Sequence, residues 1–280
     1  MSFPWMAVVL FAAALHASWN AIIKAGTDKF NDTILVIIGA AFLPALLLPW
    51  IPLPAPASWP YLIASVLIHF GYFSLVAFAY RHGDMSYAYP IMRGVAPMLT
   101  ALVASVMLNE PLTAGGKMGI LLLCCGILTL TSESWWSRKF GLAPTAIALT
   151  NAVVISMYTL VDGIGLRLSG NPVSYICWLF FFQPLPFLPL LVFTQRERFI
   201  AQRKTRWSAG LVGGLCTCTS YGLALYAMAY IPIALVAALR ETSVIFGTVI
   251  AAIFLGERFG PIRYVAAGLV TAGAVVMKVL

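Results

Sequence analysis

Ten long apolar runs dominate this 280-residue chain and leave it few ways to fold. Each run approaches the roughly 20 residues that a helix needs to cross the hydrocarbon core of a bilayer. Continuous apolarity over this length is typical of membrane helices, because barrel strands are shorter and alternate. The runs lie near residues 4–24, 33–53, 60–80, 89–108, 115–131, 141–162, 174–194, 208–228, 234–255 and 261–279. We therefore predict an all-α membrane protein with ten transmembrane helices.

The composition excludes several classes of protein. Only 9% of the residues are charged, and the mean hydropathy is +0.94. Ten helices and short connections use nearly the whole chain, which leaves no length for a nucleotide-binding or other soluble domain. The sequence also contains no Walker A loop, H-E-x-x-H, G-x-S-x-G or G-x-G-x-x-G motif. We expect a protein that is not an enzyme and that needs no ATP, metal or cofactor.

The basic residues are distributed unevenly along the chain. Thirteen of the 17 Lys and Arg residues lie near the connections that follow odd-numbered helices. The positive-inside rule then predicts that these connections are cytoplasmic and that both termini are outside. The net charge of +8 is explained by this topology and by contact with lipid headgroups, so no nucleic-acid partner is expected.

Three pairs of matching residues share one sequence offset of 147 positions. They are Arg93 and Arg240, Glu110 and Glu257, and Gly126 and Gly273. We therefore divide the chain into two five-helix repeats, residues 1–132 and 139–280. Because five is odd, the second repeat must insert upside down relative to the first. Inverted repeats provide two near-equivalent conformations with opposite access, which is the physical basis of alternating-access transport.

Several motifs resemble those of the EamA family of the drug/metabolite transporter superfamily. They are His16-Ala-Ser-Trp-Asn-Ala21 with Lys24, the repeated Leu-x-Glu at Glu110 and Glu257, and Tyr158-Thr-Leu-Val-Asp-Gly163 with Arg167. The resemblance covers essentially the whole chain. It implies ten helices around a central cavity and transport of small metabolites across the bacterial inner membrane. Within the family, the chain is similar to bacterial aromatic amino-acid exporters.

The first helix carries four polar or aromatic residues on one face. His16, Trp19, Asn20 and Lys24 recur at i, i+3, i+4 and i+8. Such a face offers an indole for stacking and an amide for hydrogen bonding to an aromatic solute. In the alternative interpretation, His16 and Asn20 bond between helices, Trp19 packs, and Lys24 reaches the membrane surface.

The third helix carries an aromatic stripe formed by His69, Tyr72, Phe73 and Tyr80. A stripe of this kind either packs between helices or lines a binding site. A histidine in mid-membrane is costly without a partner, so His69 could hold a substrate carboxylate or respond to protons.

The sixth helix is the counterpart of the first in the other repeat. It places Asn151, Tyr158 and Asp162 on one face, at i, i+7 and i+11. Asp162 could bind a substrate amino group, titrate with a coupling proton, or pair with Arg167 near the membrane surface. We favour the last, because the predicted helix ends close to Asp162.

Two repeat-related arginines lie inside predicted helices and must be neutralised there. Arg93 and Arg240 could form interhelical ion pairs that gate the cavity, or could clamp an anionic substrate group. We favour gating for both. Glu241 cannot pair with Arg240 on one helix face, because adjacent residues diverge by about 100°.

Glu110 and Glu257 end the fourth and ninth predicted helices at the membrane surface. We expect both to have the same structural role. They can pair across a short loop with bases such as Lys117 or Arg263.

The sequence as a whole predicts an inner-membrane exporter of small metabolites, first of all aromatic and other neutral amino acids, that works by alternating access without ATP. The predicted substrate-binding residues are His16, Trp19, Asn20, His69, Tyr72, Phe73, Tyr80 and Tyr158. The predicted gating or ion-pair residues are Arg93, Arg240, Glu241 and Asp162. The expected partners are a small-molecule substrate and membrane lipid, and a monomer is compatible with this role. The alternatives are a drug or phosphonate-related carrier and a non-transporting membrane sensor.

Overall fold

The computed structural model describes residues 2–82, 85–132, 141–255 and 260–279, apart from the side chains of 77–82, 85–87, 251–252 and 254–255. Twelve helices are found in these ranges. They are α1 (Phe3–Lys24), α2 (Lys29–Leu47), α3 (Trp59–His82), α4 (Met85–Met107), α5 (Ala114–Thr129), α6 (Leu142–Leu168), α7 (Pro172–Phe182), α8 (Leu188–Phe193), α9 (Arg196–Met228), α10 (Ile233–Arg240), α11 (Ser243–Leu255) and α12 (Pro261–Val279).

The predicted all-helical membrane fold is confirmed. Within the described ranges, nine stretches are long and apolar enough to span a membrane, and α5 is a shorter apolar helix. Together they account for the ten predicted runs. Two bounds differ clearly from the prediction: α6 continues to Leu168, and α9 begins at Arg196. The start of α9 bends at Arg206, whose φ of −125° and ψ of 17° are not helical.

Two of the predicted runs are each broken into two helices. Between α7 and α8 the chain contains Pro184 and a short 3₁₀ turn, Leu185–Phe187, because proline cannot continue the hydrogen-bond ladder of a helix. Between α10 and α11 the chain turns at Glu241 and Thr242, both buried. Non-helical backbone at membrane depth is tolerated where protein surrounds it or where it lines a cavity.

Local hydrogen bonds explain where several helices begin. Asp28 accepts from the Asn31 N–H at the start of α2, and Thr113 accepts from the Gly116 N–H at the start of α5. Asn171 does the same at the start of α7. Each side chain occupies the N-cap position and satisfies a backbone donor that has no partner within the helix.

The helix pairs that are in contact match between the two predicted repeats. In this comparison α1 corresponds to α6, α3 to α9, and α4 to α10 together with α11. Helix α1 packs on α9 as α6 packs on α3, and α4 packs on α6 as α10 and α11 pack on α1. Helices α5 and α12, which end the two repeats, pack on each other. This pattern is what an internal repeat requires, while the boundaries at residues 132 and 139 stay a prediction.

Glycines set the closest helix contacts. A Cβ added at Gly214 in α9 would collide with the backbone of Gly39 in α2, and one added at Gly39 would collide with that of Gly210. Gly119 and Gly273 meet in the same way between α5 and α12. Small residues allow such approach in membrane bundles, where packing rather than hydrophobic burial holds helices together.

Candidate functional site

A cavity of about 400 Å³ lies inside the bundle. Helices α1, α3, α4, α6 and α11 supply most of its wall. It reaches from Asn151 and His16 to the exposed Lys24 and Lys29, where α1 ends and α2 begins. We call this the Lys24 end of the bundle and the opposite one, where α6 ends, the Arg167 end. The cavity therefore opens to the surface at the Lys24 end.

A second cavity of about 40 Å³ adjoins the first and shares His16, Trp19, Thr33, Tyr72 and Phe73 with it. We call the two together the central chamber. Seven of the eight residues predicted to bind substrate line it. They are His16, Trp19, Asn20, His69, Tyr72, Phe73 and Tyr158. The side chain of Tyr80, the eighth, lies outside the described residues.

One part of the chamber wall is a cluster of aromatic rings in contact. The His69 and Tyr158 ring centroids are 4.2 Å apart, and those of Tyr72 and Tyr158 are 5.6 Å apart. His16 meets Trp19 edge-on at 5.1 Å. Tyr221 of α9 completes the cluster at 5.9 Å from Tyr158. Such a wall suits an apolar or aromatic solute.

Sequence reasoning missed Tyr221. It lies in a helix rich in small residues, with no aromatic residue three, four or seven positions away to form a stripe. Its only signal is a hydroxyl inside an apolar run. Its position beside Tyr158 and His69 depends on the packing of α9 against other helices, which one sequence does not reveal.

Asp162 is not paired with Arg167, so the interaction that we favoured is wrong. The carboxylate is fully buried and accepts hydrogen bonds from Tyr175 Oη at 3.0 Å and Tyr221 Oη at 2.5 Å. The reason is that α6 continues past Gly163 to Leu168. Five positions along one helix place Asp162 and Arg167 about 140° apart, on different faces.

Arg167 pairs instead with Glu110 at the Arg167 end. Arg167 Nη1 lies 2.6 Å from Glu110 Oε1, and Glu110 Oε2 accepts the Ile233 N–H at 2.9 Å. Arg167 also donates to the carbonyls of Met228 at 2.9 Å and Ile231 at 3.2 Å. These contacts tie together α4, α6, α9 and α10, and we call them the Glu110–Arg167 latch.

This arrangement corrects the partner expected for Glu110. Lys117 is exposed on α5, while Glu110 is buried against α6 and α10. The buried carboxylate therefore pairs with a residue from the other repeat rather than with one across its own loop. Glu257, for which we expected the same role, lies outside the described residues.

The two repeat-related arginines differ in their contacts. Arg93 Nε lies 2.6 Å from Glu241 Oε2, and Arg93 Nη2 donates to Ser243 Oγ at 3.4 Å. This buried ion pair joins α4 to the break between α10 and α11. Arg240, for which we expected an ion pair as well, has none among the described residues. Its guanidinium carbon lies 4.7 Å from the centre of the Tyr221 ring, beside the small cavity.

A further charged cluster, which sequence reasoning missed, lies at the Lys24 end. Asp32 of α2 accepts from Arg206 Nε at 2.9 Å and from Gln202 Nε2 at 2.8 Å. Arg206 also donates to the carbonyl of Ile22 at 2.9 Å. This cluster connects α1, α2 and α9 at the bend in α9.

An all-helical bundle with membrane-spanning helices around a chamber open at one end is the architecture of a membrane transporter. The chain belongs to the EamA-like transporter family, whose model matches residues 3–132 and 144–279. A weaker relative is the multidrug resistance protein EbrB of Bacillus subtilis (strain 168), 32% identical over 77 residues. That match covers 27% of this chain and 64% of the relative.

A solved crystal structure of another protein has the same fold. It superposes with a TM-score of 0.70 at 15% sequence identity and covers 97% of this chain and 94% of its own. At this identity the likeness concerns the fold alone.

Proposed function

We propose that this protein exports small metabolites across the bacterial inner membrane, first of all aromatic and other neutral amino acids, by alternating access and without ATP. The observation that carries the proposal is the central chamber. Its larger cavity, of about 400 Å³, is in the range of small-molecule sites, and the wall combines aromatic rings such as Trp19, Tyr72 and Phe73 with aliphatic and polar side chains.

Alternating access needs one closed and one open end. The Glu110–Arg167 latch joins four helices at the Arg167 end, while the exposed Lys24 and Lys29 border the opening at the other. Transport then requires that the latch opens as the Lys24 end closes, which is the exchange that two inverted repeats permit.

The distribution of Lys and Arg supports an orientation. The positive-inside rule puts the Lys24 end in the cytoplasm and both termini outside. In that orientation the present conformation receives solute from the cytoplasm, as export requires.

A drug carrier is the second candidate, and the similarity to a multidrug resistance protein favours it. Carriers of cationic drugs need a counter-charge in the chamber, and none of the described lining residues is an acid. The chamber therefore suits neutral, zwitterionic or anionic solutes better.

Counterflow in proteoliposomes tests the proposal. The reconstituted protein is loaded with unlabelled phenylalanine, leucine, threonine or a phosphonate, and uptake of labelled solute is followed with and without a pH gradient. We expect stereoselective exchange of the amino acids. Silence across the amino acids in folded protein would contradict the amino-acid assignment, and exchange of the phosphonate alone would replace it.

A further inference from the structure

Apart from Arg93 Nε, which forms the ion pair with Glu241, three buried polar atoms on the chamber wall have no hydrogen-bond partner within the described part of the chain. They are Arg240 Nε, Trp19 Nε1 and Asn151 Oδ1. Two are donors, and the third is a neutral acceptor, because the amide nitrogen of Asn151 contacts Met92 Sδ at 3.2 Å. Native proteins satisfy nearly all buried polar groups, so unsatisfied ones on a cavity wall indicate the polarity of what enters.

Of the three, the Arg240 donor is the most costly to leave without a partner, because it belongs to a charged group. The residue is only 6% exposed, and burying a guanidinium cation is costly unless it is paired and hydrogen-bonded. Glu241 interacts electrostatically with Arg240 but forms its ion pair with Arg93, and the buried Asp162 accepts from Tyr175 and Tyr221. The ring of Tyr221 under Arg240 offers a partial negative face but no counter-ion. An anion that binds from the chamber would therefore stabilise this buried cation.

The internal repeat explains why Arg93 has an ion-pair partner while Arg240 has none among the described residues. The residue that follows Arg240 is Glu241, and its counterpart after Arg93 is Gly94. The second repeat thus supplies one acid for two arginines. Glu241 forms its ion pair with Arg93 across the helix break. Arg240 is therefore left on the chamber wall without an ion pair among the described residues.

We propose that Arg240, with the indole N–H of Trp19, forms an anion subsite that binds the carboxylate of the transported solute. Asn151 Oδ1 accepts a hydrogen bond from an amino or hydroxyl group of the same solute. The inference rests on the proposed function and adds a specificity: the carboxylate is required, whereas the amino group, whose partner is neutral, contributes less. Deaminated aromatic carboxylates are then ligands as well.

Binding of matched ligands to the purified full-length protein tests the subsite. The probes are phenylalanine, 3-phenylpropanoate, its neutral amide 3-phenylpropanamide, and phenethylamine, each titrated by calorimetry. In the unaltered protein we expect both carboxylates to bind roughly tenfold to a hundredfold more tightly than the amide and the amine, as for a hydrogen-bonded charge pair. Equal affinities for the acid and its amide would overturn the proposal without any variant.

The variants Arg240→Gln and Arg240→Lys then locate the preference. Arg240→Gln should remove the preference for acid over amide, and Arg240→Lys should keep part of it. Because this readout is a ratio within one variant, a general loss of affinity does not imitate the result. Arg203→Gln, which removes an exposed arginine of α9, is the matched control and should leave the ratio unchanged. A ratio that survives Arg240→Gln would exclude Arg240 from the subsite.

The two proposals fail in different ways. Amino-acid exchange without any preference for the carboxylate would leave the transport function and overturn the subsite. Tight binding of 3-phenylpropanoate that depends on Arg240, without amino-acid exchange, would support the subsite and contradict amino-acid transport. Absence of binding of every probe to folded protein would overturn both.

Discussion

Arg167 Nη1 lies 2.6 Å from Glu110 Oε1, so the end of α6 is joined to the end of α4 from the other predicted repeat. The Glu110 side chain is 7% exposed and the Arg167 side chain 35%, so water screens the pair only from one side. Since Glu110 also holds the first N–H of α10, one carboxylate connects three helices. It lies at the end of the bundle away from the chamber opening, which is the end that the proposed alternating access requires to be closed.

We expect Glu110→Gln to weaken this closure. The amide still accepts the Ile233 N–H but loses the charge pair, which for a partly exposed pair costs about 1 kcal/mol or less of folding stability. The larger effect is on access. An impermeant maleimide should label a cysteine placed at Ile231 several-fold faster in the Glu110→Gln background.

The control for the latch is Lys117→Gln, which removes an exposed charge of α5. It should leave the labelling rate unchanged. Equal labelling in all three backgrounds would show that the ion pair does not hold the Arg167 end closed.

Asp162→Asn should destabilise the fold more than it weakens binding. The carboxylate accepts from two tyrosine hydroxyls, and an asparagine can accept from only one of them through its oxygen. A buried donor left without a partner costs about 1–3 kcal/mol. Thermal unfolding should show this loss, with little change in the counterflow KM for phenylalanine.

Tyr175→Phe is the companion variant, because it removes one of these bonds at a residue that does not line the chamber. It should lower thermal stability without a change in KM. If Asp162 instead bound the substrate amino group, Asp162→Asn would raise the KM for phenylalanine and spare 3-phenylpropanoate.

Trp19 offers two separable contributions to binding, a ring and an N–H. Trp19→Ala should weaken the binding of an aromatic solute by about 1–3 kcal/mol, since it removes both. Trp19→Phe should retain the ring contact and lose only the donor, so its effect should be smaller and confined to carboxylates. Calorimetry with 3-phenylpropanoate and its amide measures both. Unchanged affinity in Trp19→Ala would remove Trp19 from the site.

Gly214→Ala should destabilise the bundle. The added methyl group would collide with the backbone of Gly39, and forcing α2 and α9 apart costs about 1–3 kcal/mol, as for other overpacked contacts. Gly71→Ala in α3 is the control, because a Cβ there meets nothing within 4 Å. We expect a lower melting temperature for Gly214→Ala and none or a slight increase for Gly71→Ala. Equal melting temperatures would contradict the close α2–α9 contact.

Sequence reasoning reached the helices and seven of the residues that line the chamber. Hydrophobic runs and helix periodicity are local properties, so the runs and the shared faces of His16 with Trp19 and of His69 with Tyr72 could be read directly. These faces do meet in the chamber. What the periodicity could not provide was Tyr221, because a single ring shows no pattern.

The sequence did not predict which charged residues pair with each other. Asp162 and Arg167 are near each other in the chain, as are Glu110 and Lys117, and neither pair forms in the part of the chain that the structure describes. A buried charge selects its partner from whatever helix packs against it, often from the other repeat.

The sequence by itself determined the membrane environment, the helical class and the internal repeat, since each follows from which residue types recur along the chain. Only the tertiary structure decided that Arg93 pairs with Glu241 while Arg240 faces the chamber. Two arginines at equivalent positions look alike in sequence. They differ in the fold because Glu241, which interacts with both, forms its ion pair with Arg93, and a low-dielectric interior makes that difference decisive.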